Sequence, residues 1–87
     1  MEKRLGFVGI IIQERKASAP LVNSILSEFG QIIIGRMGIP HLKDERSIIT
    51  LIVEATTDEL GALTGKLGII AGVSVKSALS KDRKSVV

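Results

Sequence analysis

The stretch "GALTGKLGIIAG", Gly61 to Gly72, carries the residues most suggestive of chemistry. It invites comparison with a phosphate-binding loop. That loop needs four residues between its glycines and a Ser or Thr after the Lys. Here three residues separate Gly61 from Gly65, and Leu67 follows Lys66. The stretch also reads as a helix rather than the loop before one, so nucleotide binding is not expected. On a helical wheel Leu60, Leu63 and Leu67 share one side. Gly61, Gly65 and Gly68 lie roughly 135° away at 3.6 residues per turn. Glycine costs roughly 1 kcal/mol against alanine in a helix interior, and a stripe without side chains lets a neighbour come close. The expectation is tight packing, within or between chains. A ligand resting on the stripe is the alternative, and Gly68 could also help to end the helix.

A second polar group is Gln13, Glu14, Arg15 and Asn23. These could line an effector pocket between the first loop and the first helix; a plain polar rim is the competing reading. His41 follows Pro40 at a turn and is the single histidine, and there is no cysteine. A metal cage within one chain is therefore not expected, and no cofactor motif is present. The acidic residues Glu45, Glu54, Asp58 and Glu59 form no pair at a catalytic spacing. No nucleophile and base are legible together, so an enzyme is not expected.

The elements that must position these residues follow from hydropathy. Arg4 to Gln13 is rich in β-branched residues and reads as a strand. Ser18 is placed to cap a helix whose first turn holds Pro20. Its apolar stripe is Leu21, Val22, Ile25, Leu26 and Phe29, with Gly30 as C-cap. Gln31 to Pro40 and Glu45 to Thr56 read as two more strands. Thr56 and Glu59 fit a capping box for a second helix. A fourth strand starts at Gly72. The order β-α-β-β-α-β predicts an α+β, ferredoxin-like domain: a four-stranded antiparallel sheet with two helices on one face. The first strand is apolar on both sides, with Val8, Ile10 and Ile12 against Leu5, Phe7 and Ile11. The third repeats this, with Ile48, Thr50 and Ile52 against Ile49, Leu51 and Val53. Two helices cover one side only. The expectation is a homo-oligomer, dimer or tetramer, formed through the open sheet face.

An 87-residue chain is one small domain of marginal stability. Without disulfides or metal, oligomerisation is the remaining support. The net charge of +3 is a weak argument for an acidic partner. The longest apolar run is far below the ~18 residues a membrane span needs, and no small-residue cleavage site follows "MEKRLGFVGIII". A cytoplasmic location is expected, with no membrane partner. RNA-recognition domains share this topology but stack bases on aromatic strand residues. Two phenylalanines and no Tyr or Trp leave no such platform, so direct nucleic-acid binding is not expected.

"GALTGKLGIIAGVSVK" (Gly61 to Lys76), "RMGIP" (Arg36 to Pro40) and "LVNSIL" (Leu21 to Leu26) together resemble the small iron-only hydrogenase system regulators. These are stand-alone ACT-like domains, similar to the C-terminal domain of the nickel-responsive repressor. The resemblance runs from about Lys3 to Leu79. It implies an ACT-like domain over residues 1–80; the residues themselves read 81–87 as a flexible basic tail. It also implies a homo-oligomer and a regulatory role, sensing a small ligand or binding a hydrogenase-system protein. The alternative is an oligomeric scaffold with no ligand. The repressor's nickel ligands have no counterpart here, and its DNA-binding segment is not expected. "QERKAS" lacks the glycine that amino-acid-binding ACT domains often place after the first strand.

Overall fold

The computed structural model describes residues 2–40 and 42–81. His41 and all of the expected tail after Lys81 lie outside them. The elements are β1 (Arg4–Ile12), α1 (Arg15–Glu28), a 3-10 turn (Gly30–Ile32), β2 (Ile33–Ile39), β3 (Ser47–Ala55), α2 (Thr57–Gly68) and β4 (Val73–Leu79). The sheet order is β2-β3-β1-β4, and every neighbouring pair is antiparallel. This is the ferredoxin-like arrangement.

The two central strands meet through their β-branched residues. Val8 lies opposite Leu51 and Ile10 opposite Ile49. These four, with Ile12 and Val53, point at the helices and are buried. α1 adds Val22 and Leu26, and α2 adds Leu60, Leu63 and Leu67. The leucine stripe of α2 thus faces the core as its spacing requires. The capping box closes in both directions. The Thr56 hydroxyl accepts from the Glu59 N–H (3.1 Å), and the Glu59 carboxylate accepts from the Thr56 N–H (2.9 Å). Asp58 and Glu59 in the first turn and Lys66 in the last both suit the helix dipole.

Three local expectations are corrected. α1 starts at Arg15, not at Ser18, because the Ser18 N–H already donates to the Glu14 carbonyl (3.0 Å). Ser18 is buried inside the helix, and its hydroxyl donates to the Ala71 carbonyl (3.0 Å). Pro20 therefore lies in the helix interior. It has no N–H for the Lys16 carbonyl, and both residues are on the exposed side of the helix. Finally, Phe29 is the C-cap of α1, and Gly30 opens a 3-10 turn that tucks Ile32 into the core. Gln31 and Ile32 are consequently not in β2. Gly72 has the left-handed backbone (φ 76°) that favours glycine. Its carbonyl accepts from the Gln13 N–H (2.8 Å). That bond and the Ser18–Ala71 bond tie the start of α1 to the α2–β4 turn.

Candidate functional site

One residue decides what β2 presents. Ile33 pairs with Val53, but Gly35 pairs with Ile52, so the strand bulges between them. A bulge moves every later side chain to the opposite face. Arg36 and Gly38 thereby join the helix side, opposite Leu51 and Ile49, while Met37 and Ile39 join the open side, opposite Thr50 and Ile48. Arg36 then reaches α1, where its Nη2 donates to Asn23 Oδ1 at 2.7 Å.

Two clefts adjoin the N-terminal half of α1. The larger, about 860 Å³, lies between the start of α1 and the residues just before β3, with Gln13, Arg15, Asp44 and Arg46 in its wall. Its two sides are joined by the Arg15 N–H donating to the Glu45 carbonyl (3.1 Å). Arg46 pairs with Asp44 at 2.9 Å, and its guanidinium holds that carboxyl below the usual range. The smaller cleft, about 420 Å³, runs between α1 and the β2–β3 ribbon and is lined by Arg15, Ala19, Asn23, Arg36 and Ser47 among others. Arg15 belongs to both.

Of the residues singled out in the sequence, Arg15 and Asn23 therefore share a cleft, and Gln13 lines its neighbour. Residues 15, 19 and 23 recur at steps of four, one helix face. Arg36 and Ser47 escaped the sequence reading. The glycines are elsewhere. Gly61, Gly65 and Gly68 are exposed, line neither cleft, and a Cβ added at any of them would meet, among the described residues and beyond its own stretch of helix backbone, no atom within 4 Å. Packing within the chain, one of the expected reasons for the stripe, is thus corrected. Close approach occurs at Gly6 instead. A Cβ there would collide with the Ala78 carbonyl oxygen and come to 2.6 Å from Leu79 Cδ2.

Among the described residues no helix covers the opposite face of the sheet. Phe7 (51% exposed), Met37 (73%), Leu5, Ile11, Ile39 and Ile52 are exposed on it. Lys76, opposite Gly9, and Glu54, opposite Leu5, share that face. Among the described residues, no three of His, Cys, Asp and Glu come together to hold a metal ion, and no helix is long and apolar enough to cross a membrane.

The ferredoxin-like sheet with both helices on one face is an ACT-like fold. The ACT domain of GTP pyrophosphokinase from Chlorobium tepidum superimposes with a TM-score of 0.73 at 22% identity, covering 87% of this chain and 99% of that one. The C-terminal domain of the MgtC protein from Mycobacterium tuberculosis does so with a TM-score of 0.69 at 17% identity, over 97% and 95%. The chain belongs to the TM1266-like family, described as an iron-only hydrogenase system regulator, whose model matches residues 4–77. It is 38% identical to the protein TM1266 from Thermotoga maritima, with a TM-score of 0.87 over 92% of this chain and 100% of that one. No curated protein sequence matches the chain.

Proposed function

We propose that the chain is a homo-oligomeric regulatory module of the iron-only hydrogenase system, not an enzyme, and that it responds to a small ligand held beside α1. The carrying observation is the bare apolar sheet face. Four strands about 4.8 Å apart, each seven to nine residues of about 3.3 Å, make a face of roughly 500 Å² in projection. With side-chain relief this approaches the roughly 800 Å² per partner of a standard interface. A second copy is the occupant that fits. The face is apolar at its centre, and Lys76 and Glu54 give it both signs of charge, so a two-fold axis can set each against its opposite. Such an assembly leaves the helix side, with both clefts, open to solvent and to a ligand.

Light scattering on a size-exclusion column at micromolar concentration tests the assembly. The expected result is a mass of at least two chains, and a monomer mass refutes it. Met37→Lys plus Ile52→Lys should split the oligomer by burying like charges across the axis. Thermal-shift screening of metabolites tests the ligand response; an oligomer that no small molecule stabilises is a scaffold instead. Disrupting the gene in a host that makes iron-only hydrogenase should change hydrogenase activity or its maturation.

A further inference from the structure

The smaller cleft has a composition that core packing does not explain. It is lined by two guanidinium groups and by no carboxylate. Arg36 is fixed by Asn23, a neutral partner that orients the fork and leaves its charge uncompensated. Arg15 is only partly exposed, yet among the described residues its side chain has no hydrogen bond and no ion pair. It is also the first residue of α1, the end where the helix dipole disfavours a cation. The acidic neighbours Glu14, Asp44 and Glu45 line the adjoining cleft instead.

Ser47 supplies an independent sign. It opens β3 on the helix side, opposite Ile12, and is 4% exposed. Its hydroxyl has no hydrogen-bond partner among the described residues. Among the described residues no buried side-chain oxygen or nitrogen is both sealed off and unsatisfied, so the hydroxyl opens into the cleft it lines. A side chain this buried gains nothing in packing from a hydroxyl with no partner in the described chain, and valine would fill a plain core position better. The remaining wall is small or apolar, with Ala19, Gly38 and Ile49.

We infer that this cleft binds a small organic anion, in which one oxyanion group lies between Arg15, Arg36 and the Ser47 hydroxyl and a short apolar body rests against Ala19 and Ile49. Paired guanidiniums with a hydroxyl donor match a carboxylate or phosphate group. The volume of about 420 Å³ suits a metabolite. Two guanidinium cations and no carboxylate in the lining disfavour a metal ion. The inference deepens the ligand-responsive reading and rests on it.

The test is titration of the isotope-labelled full chain, followed by NMR, with three probes: sodium 3-methylbutanoate, inorganic phosphate and the neutral 3-methylbutanamide. The expected result is a saturable shift of the Arg15, Asn23, Arg36 and Ser47 amides with an anion and none with the neutral amide. A response to the carboxylate alone identifies a carboxylic acid, and one to phosphate alone a phosphorylated metabolite. Arg15→Gln and Arg36→Gln should each weaken binding about tenfold or more, as loss of a charge-assisted hydrogen bond implies. Ser47→Ala should weaken it several-fold while the spectrum stays native. The inference falls if no anion shifts these amides at millimolar concentration. It falls equally if the neutral amide binds as well as the acid, or if both arginine variants bind like the parent. If Arg36→Gln instead lowers the oligomer mass and no anion binds, a carboxylate of a second copy fills the cleft and the inference is again overturned. Stabilisation of the protein by some neutral or cationic molecule would leave the regulatory reading standing while this one fails.

Discussion

Replacing Gly61 and Gly65 by alanine tests whether anything rests on the glycine stripe of α2. Both positions lie inside a 12-residue helix, and, among the described residues and beyond its own stretch of helix backbone, neither has an atom within 4 Å of where a Cβ would stand. Neither has a left-handed backbone, since Gly72 is the one described glycine with a positive φ. No steric term therefore opposes the change. What remains is helix propensity, roughly 1 kcal/mol per site and about 2 kcal/mol for the pair. For a domain of this size, 1 kcal/mol moves Tm by about 4–8 °C, so the double variant should melt about 8–16 °C higher. The assay is a thermal melt by circular dichroism, with the oligomer mass measured on the same samples. The reasoning is refuted if Tm stays level or falls. A fall with a smaller mass would place another subunit on the stripe. A fall with the mass unchanged would mean that a bound molecule had been displaced, and the added methyls would then cost typically 1–3 kcal/mol through overpacking.

Gly6→Ala in the same assay should act in the opposite direction. Its methyl has to displace the Ala78 carbonyl and Leu79, so a loss of about 1–3 kcal/mol is expected, and an unchanged Tm would disprove the close approach of β4. Thr56→Ala removes the hydroxyl of the capping box and should lower urea stability by about 1 kcal/mol; no change would mean that the cap contributes nothing. Glu59 gives a pH signature: the Thr56 N–H, and then Lys3, hold its carboxyl below the ordinary value of 4.5. Its folded pKa being depressed, its contribution is complete above about pH 4.5 and fades as pH falls through the folded value. Urea midpoints between pH 6 and 3 should fall less steeply in Glu59→Gln than in the parent, and parallel curves would exclude this role.

The parts legible in the sequence were those fixed by near neighbours. The capping box spans Thr56 to Glu59, and the leucine stripe repeats within one helix, so both are written in local spacing. The two-sided apolar character of β1 and β3 announced a sheet with one face to hide. Tertiary partners decided the rest. Ser18 looked like a cap because its hydroxyl suits one, yet that hydroxyl serves Ala71, 53 residues away. The wheel placed the glycines of α2 correctly but could not show that the space beside them is empty. The need for Gly6 comes from β4, at the far end of the described chain. Half of the cleft was visible, in Arg15 and Asn23. The other half was hidden by the bulge at Ile33–Gly35, because simple alternation puts Arg36 on the open face.

The strand order also governs how the chain comes off the ribosome. β1 pairs with β3 and β4, and these lie later in the chain than β2. At roughly 5–20 residues per second, about 2–7 s separate synthesis of Ile12 from that of Ser47, its partner in the register. Throughout that interval nine residues, apolar on both sides, have no strand to pair with. The loop that must then close is long, which makes the β1–β3 docking an entropic search and a slow step in folding. The strand buried at the centre of the finished sheet is thus the one a nascent chain leaves bare, and translation halted before Ala55 yields a fragment suited to chaperone capture or aggregation.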